Sequence, residues 1–251
     1  MHQTTRLMLR DVFSDLGIVR GDVVCIHAFM PSFGIIEGGC ETLYEVLNSF
    51  IGPAGNIIVP TFTYSYRRNE IFDVRRSASI NGIFSEHIRK HDSVYRNDDP
   101  LVSFAGIGKN VPEIIKRKSK NCFGRDSVFE SLFAADTKFI GLGVGWDDGY
   151  SFMMHLEKLA DVPFREDRTF VGESIGKDGV KFVDEAVHFV RNGFREYKRS
   201  RTNFCESLLS DQKINSSYLH GIGHFCFWSS KVETEIVSSL VSNPWCMAQN
   251  I

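Results

Sequence analysis

Apolar and polar positions alternate along the chain in a way that divides it into short elements of both kinds. Near the start, Leu7, Leu9, Val12, Phe13 and Leu16 recur at helical spacing and Gly17 closes the run. A helix is therefore expected from about Thr4 to Leu16. Asp22-Val-Val-Cys-Ile-His27 is almost continuously apolar and predicts a buried strand. A glycine-rich loop follows from Met30 to Gly39, then a helix from Cys40 to Phe50 with Leu43, Val46, Leu47 and Phe50 on one face. Gly52-Pro-Ala-Gly55 is a turn, and Asn56-Ile-Ile-Val-Pro60 a second buried strand. Strand, loop, helix, turn and strand is the order of a βαβ unit.

Downstream the pattern is less regular. Thr61 to Ser79 is polar, aromatic and arginine-rich, as expected of a loop at the edge of a site. Ile83 to Arg89 reads as a short helix, Tyr95 to Ser103 as a polar stretch, and residues 111–118 as another helix. Lys138 to Gly145 is a strand running into a glycine-rich turn, followed by a helix from Ser151 to Leu159. Phe170 to Asp178 and Lys181 to Val190 suggest antiparallel strands about a Lys177-Asp-Gly179 turn. The tail reads as short helices around an apolar run, Phe225 to Trp228. The expectation is one α/β domain over residues 1–251, three layers α/β/α with a mixed, largely parallel central sheet.

Composition narrows the function. The net charge of -2 and pI near 6.4 argue against bulk nucleic-acid binding and against a strongly acidic trough built for polycations. Asp11 and Asp15 interrupt any signal-peptide core, and no stretch approaches the ~18 apolar residues of a membrane span. A cytoplasmic protein is expected, with no membrane partner. None of the six cysteines has C-x-x-C spacing; Cys25 and Cys226 lie in apolar runs and read as buried free thiols. The 21 phenylalanines leave room for an apolar contact in a homo-oligomer.

Four places could carry chemistry. The Gly34 to Gly39 loop opens a helix, where backbone N–H groups and the helix dipole suit an anion, although a plain strand–helix turn has the same local sequence. It is neither a P-loop nor a dinucleotide fingerprint. His27 ends an apolar strand, the end at which α/β sheets place ligands. Ser151-Phe-Met-Met-His155-Leu-Glu157 sets a histidine near a carboxylate, a pairing suited to a general base. Arg67, Arg68, Arg75 and Arg76 near Tyr64 and Tyr66 could clamp a diphosphate, or remain solvated loop charges. No metal-ligand spacing and no G-x-S-x-G elbow occurs, so no metal cofactor is expected.

Five segments in order resemble the aminoglycoside 3-N-acetyltransferase-like family, from about Leu9 to Gly172. They are His27-Ala-Phe-Met-Pro-Ser32-Phe-Gly34, then Gly52-Pro-Ala-Gly-Asn-Ile-Ile-Val-Pro60-Thr-Phe-Thr63, then Arg96-Asn-Asp-Asp99-Pro100-Leu-Val-Ser103-Phe-Ala-Gly-Ile-Gly108. Cys122-Phe-Gly124-Arg-Asp-Ser127 and Gly141-Leu-Gly-Val-Gly145 with the His155 region complete the set. The resemblance implies a three-layer α/β fold and direct attack of a sugar amine on the thioester of acyl-CoA, acetyl-CoA by default. It places Ser32, Phe33, Gly34, Gly38, Gly39, Ser103 and Phe104 near the CoA arm. It assigns the base to the H-x-x-E segment, hence His155 and Glu157, with His27 as a further catalytic candidate. Aligned on Glu157 and Val162-Pro-Phe-Arg165, the family's histidine falls at Met154, one residue before His155.

For the acceptor, near-neutral charge and the arginine pairs favour a nucleotide-linked amino-deoxy sugar, as in surface-polysaccharide synthesis, over a polycationic aminoglycoside. Thr61, Thr63, Tyr64, Arg67 and Arg68 are the expected contacts, with Asp98 and Asp99 orienting the amine. The alternatives are an aminoglycoside 3-N-acetyltransferase and a non-catalytic protein that binds CoA or a sugar nucleotide.

Overall fold

The computed structural model describes residues 2–192 and 197–250. The main sheet has seven strands: β1 (Val23–Ala28), β2 (Asn56–Pro60), β3 (Tyr95–Arg96), β4 (Phe104–Ile107), β5 (Lys138–Leu142), β8 (Ile214–Leu219) and β9 (Ile222–Trp228). Between β5 and β8 in the chain lies a separate hairpin, β6 (Arg165–Ile175) and β7 (Lys181–Arg191). The order across the main sheet is β8-β9-β5-β1-β2-β4-β3. Among the described residues the longer helices are α1 (Arg6–Asp15), α2 (Gly39–Ile51), α3 (Ile83–Arg89), α4 (Val128–Ala134), α5 (Phe152–Leu159), α6 (Thr202–Ser210) and α7 (Ser229–Ser242).

The expected α/β architecture with a mixed sheet is present, but its parallel part is narrow. Only β5-β1-β2 runs parallel; β8-β9, β9-β5, β2-β4 and β4-β3 pair antiparallel. The βαβ unit accounts for β1-α2-β2. Of the antiparallel pairs, β8-β9 and β4-β3 are joined by short local connections, whereas β2-β4 and β9-β5 pair across long stretches of chain.

Central strands are buried on both faces, so alternate residues feed two cores. Val24, Ile26, Ile57, Val59, Ile140 and Leu142 pack with α1, α2 and α3, whose Phe13, Leu43, Leu47 and Phe84 are fully buried or nearly so. Cys25, Ile58, Phe139 and Phe227 face the other way, onto Phe129 of α4, Phe152 of α5 and Val232 of α7. The Phe139 and Phe152 rings stack at 4.5 Å. The period-two pattern thus makes three layers, and it puts His27, in phase with Cys25, on the α5 side.

Local signals set the ends of elements. Thr5 caps α1 by accepting from the Met8 N–H at 3.3 Å. The helix expected over 111–118 shrinks to Val111–Ile114. The β6–β7 hairpin turns at the expected place, with Gly179 at φ +82 and the Asp178 carboxylate accepting from the Val180 N–H. The β8–β9 hairpin replaces part of the helical tail expected from sequence. Its turn is His220-Gly221, both at positive φ, the twist a two-residue hairpin requires. All six cysteines are free, and Cys25 and Cys226 are buried as expected. Among the described residues, no helix is long and apolar enough to cross a membrane.

Candidate active site

The carboxyl ends of β1 and β5 open onto a cleft of about 450 Å³. His27, Asn81, Val144 and Asp148 line it together with Gly143 and Gly149. The site lies where adjacent parallel strands of an α/β sheet leave a crevice at their carboxyl ends. Gly143 (φ +66) and Gly149 (φ +63) bend the loop after β5 back to α5. A Cβ on Gly143 would collide with Ser32, so the β1 and β5 loops meet here without a side chain between them.

His27 is 7% exposed. Its Nε2 lies 3.1 Å from Ser151 Oγ at the start of α5, and Nδ1 has no hydrogen-bond partner among the described residues. Burial lowers its pKa to about 4, so the imidazole is neutral at neutral pH. The ring is thus neutral, with Nε2 beside Ser151 and a buried Nδ1 that no described residue bonds.

His155 is not in this cleft. It is 1% exposed and lies against Phe129 and Phe133, with ring centroids 5.9 and 5.1 Å away. Its Nδ1 accepts the Gly124 N–H at 3.1 Å, and burial lowers its pKa to about 4. The structure thus places His155, expected as the base, outside this cleft, where its ring supports the 122–127 turn. The cause is helical geometry. Each residue rotates about 100° round the axis, so Met154 and His155 cannot face the same way, whereas Met154 and Glu157 share a face. Met154 holds the outward position. Glu157 is buried and engaged as an ion-pair partner, accepting from Arg165 Nε at 2.6 Å and Arg201 Nη2 at 3.3 Å.

The other expected residues divide by location. Phe33 and Phe104 are fully buried core side chains. Ser32 is 3% exposed and lies behind the Gly143 wall. Gly34 (φ +67) turns the chain so that Ile35-Ile36 pair with Gln3-Thr4, and a Cβ there would strike the His2 carbonyl. Gly38 and Gly39 begin α2 at positive φ, with Gly38 beside the N-terminal segment and not in the His27 cleft. The Gly34 to Gly39 segment therefore lies apart from the His27 cleft, with Glu37 and Gly38 exposed beside the N-terminal residues. Ser103 is fully buried; its Oγ donates to the Thr61 carbonyl at 2.6 Å and accepts from Arg96 Nη2 at 3.1 Å. Thr61 and Thr63 are equally buried, and Thr63 Oγ1 donates to the Pro100 carbonyl at 2.8 Å. These groups brace the loop that carries Tyr64.

Tyr64 and Arg67 line a second cleft, of about 460 Å³, together with Met154, Arg165, Arg199 and His188. Ser151, beside His27, precedes α5, and Met154 lies one turn further along that helix. Arg68 is turned away and pairs with Glu70 at 2.7 Å. Arg75 and Arg76 are exposed, their N–H groups bound to Asp73. The four-arginine clamp is therefore not assembled. Asp99 accepts the Leu101 and Val102 N–H groups, both at 2.8 Å, and so builds its own turn. Asp98 is exposed and lines a different groove, beside Lys116 and Arg117. Neither aspartate orients an amine in the His27 cleft. Asp148, which is there, was missed, as were His188, Arg165 and Arg199. The phase of β7, in which Asp184, Ala186 and His188 alternate inward, was the signal for His188. Among the described residues, no cluster of ligands suits a metal ion.

The aminoglycoside 3-N-acetyltransferase family profile matches residues 25–220. An aminoglycoside N(3)-acetyltransferase III from a Salmonella species is 35% identical over 211 residues, covering 75% of this chain and 72% of its own length. A namesake from Acinetobacter baumannii is 20% identical over the same shares. Among solved structures, aminoglycoside acetyltransferase AAC(3)-Xa superposes with a TM-score of 0.83 at 20% identity, covering 96% of this chain and 93% of that one. AAC-IIIb, solved as a binary complex with CoASH, gives a TM-score of 0.80 at 18% identity over 96% and 97%. An AAC(3)-IVa histidine-to-alanine mutant in complex with a gentamicin gives 0.81 at 20% identity over 98% and 92%. With the profile spanning most of the chain and the fold agreeing over nearly all of it, the chain belongs to the aminoglycoside 3-N-acetyltransferase family.

Proposed function

We propose that the chain is an acyl-CoA-dependent N-acyltransferase, acetyl-CoA being the default donor, acting as one domain over residues 1–251. The carrying observation is His27: a neutral imidazole with a free nitrogen, lining a cleft at the carboxyl ends of parallel strands, in a chain of an N-acetyltransferase family. The glycine-walled cleft suits the thin arm of an acyl-CoA. In the reaction the acceptor nitrogen attacks the thioester carbonyl carbon, and its N–H proton passes to His27. The C–S bond breaks, sulfur leaves as thiolate, and the thiolate takes up a proton to give an amide and free CoA. With Ser151 Oγ, 3.1 Å from Nε2, accepting from an Nε2–H tautomer, Nδ1 is the nitrogen left to take the proton. Asp148 supplies a carboxylate for an ammonium-bearing acceptor.

The relatives' names support an aminoglycoside-type amine as acceptor over the nucleotide-linked amino sugar suggested by net charge. A second reading, an amine that also carries phosphate, is favoured by one observation: the cleft beside Met154 is lined with arginine, which repels a polycation. The test is release of CoA thiol from acetyl-CoA with two acceptor panels, aminoglycosides and phosphorylated or nucleotide-linked amino sugars. Release with the first panel supports the first reading, and release with only the second panel supports the other.

A further inference from the structure

The geometry points to a phosphate-binding site in the cleft beside Met154, built by Arg67, Arg165, Arg168, Arg191, Arg199 and His188 for a ligand carrying a phosphate or diphosphate group. The site rests on the acyltransferase reading only for what the ligand is, not for whether the pocket binds an anion.

Two aspects of these residues are costly unless an anion is bound. The first is their pairing across the hairpin. His188 stands directly opposite Arg168, and Arg191 opposite Arg165. Like charges directly across an antiparallel pair destabilise it, and here one arginine pair is joined by arginines from two further segments. The second is unsatisfied donors. Arg165 is 7% exposed and its Nη2 has no partner among the described residues; the same holds for Arg199 Nε and for both ring nitrogens of His188, which is 3% exposed. Buried polar groups are ordinarily bonded, and a missing partner at a guanidinium costs more than at a neutral group.

The described residues supply little countercharge. Arg165 shares Glu157 with Arg201, and Arg168 reaches Glu166 at the surface, at 2.8 Å. Arg67, Arg191 and Arg199 have no carboxylate partner among the described residues, and none lines the cleft there. Arg67 lies over the Tyr64 and Phe170 rings instead, at 5.3 and 5.9 Å, which holds its guanidinium in place. The pKa of Arg199 is lowered by burial and then by its neighbours Arg201 and Arg165, and that of His188 falls to about 3 from burial, Arg67 and Arg165. A bound anion relieves both. Planar guanidiniums converging from β6, β7, the 3-10 turn Ser65–Arg68 and the short strand Tyr197–Arg199 match the oxygens of a phosphate or diphosphate, with Tyr64 and Phe170 offering ring faces to what the phosphate carries.

Two ligands share that chemistry: the ADP part of acyl-CoA, and a phosphorylated acceptor. The test begins with binding alone. Inorganic diphosphate is titrated calorimetrically into the whole protein without acyl-CoA or amine, at low salt and again at high salt. Saturable binding that weakens with salt is expected, and the Arg67→Gln/Arg191→Gln protein should bind at least about tenfold more weakly with a melting temperature that is not lowered, since both side chains are exposed and the Arg191–Arg165 repulsion is removed. Absence of binding, or binding unaltered in the double variant, overturns the site even if thiol release is robust. Diphosphate inhibition of turnover then separates the sources: competition with acetyl-CoA assigns the pocket to the donor, and competition with the amine assigns it to the acceptor. Inhibition competitive with neither overturns the site's place in the reaction.

Discussion

His155→Leu distinguishes a structural histidine from a catalytic one. Leucine fills a similar volume and keeps contact with Phe129 and Phe133, but it cannot accept the Gly124 N–H now bound at 3.1 Å. Stranding that buried donor costs about 1–3 kcal/mol, and lost ring stacking adds a fraction of that. A loss of about 2 kcal/mol in a chain of this size lowers the melting temperature by roughly 4–8 °C. His155→Gln, whose side-chain oxygen can accept from Gly124, should recover part of the loss. Turnover per folded molecule should stay within about twofold in both variants, because neither touches the cleft. Thermal melts are run beside CoA thiol release at a temperature where all three proteins are folded. A fall in kcat on the order of 10²–10⁴ with an unchanged melting temperature, not rescued by glutamine, would refute the reasoning and return the base to α5.

Three further outcomes follow from the same geometry. Asp148→Asn should raise KM for the amine with a smaller effect on KM for acetyl-CoA, read from initial rates with each substrate varied; equal effects on both would remove Asp148 from the acceptor side. Gly143→Ala should lower stability by about 1–3 kcal/mol in chemical denaturation, because φ is +66 and the new Cβ meets Ser32; an unchanged midpoint would contradict the close packing of the two loops. Acid should destabilise the fold through its buried neutral histidines. Burial holds His27, His155 and His224 at about 4 and His188 at about 3, below the ordinary 6.5. The unfolded chain therefore takes up more protons below pH 6.5, so this stability is fully present above about 6.5 and is lost as pH falls toward 4, each histidine contributing on the order of 1 kcal/mol or more. A melting temperature that is flat from pH 7 to pH 5 would contradict that.

Elements with a strong period were legible from sequence, and contacts made across the chain were not. The α2 stripe of Leu43, Val46 and Leu47 and the apolar runs of β1 and β2 gave their elements to within a residue or two, because burial on one face or on both is written into the order of residues. The β8–β9 hairpin was missed because His220-Gly221 is not among the usual turn pairs, although Gly221 supplies the positive φ. The position of His27 at the end of β1, beside a cleft, was readable because a strand end needs no distant partner to be placed. His155 was misplaced because a one-residue offset on a helix rotates a side chain from cleft to core. Asp99 was misread because an aspartate that bonds N–H groups two and three residues on looks, in sequence, like one free to bind an amine. The arginine cleft was out of reach: Arg67, Arg165, Arg191 and Arg199 converge from separate segments, and only Arg67 was chosen by its neighbours in sequence.

The central claim is that the His27 cleft performs acyl transfer. It is tested most directly by CoA thiol release from acetyl-CoA with an aminoglycoside and with a phosphorylated amino sugar, comparing the native protein with His27→Gln. The account predicts release by the native protein and a loss in kcat on the order of 10²–10⁴ in the variant, with an intact fold. Release undiminished in His27→Gln would move the base elsewhere, and no release from the native protein with either acceptor, despite acetyl-CoA binding, would contradict the claim and favour a CoA-binding protein without catalysis.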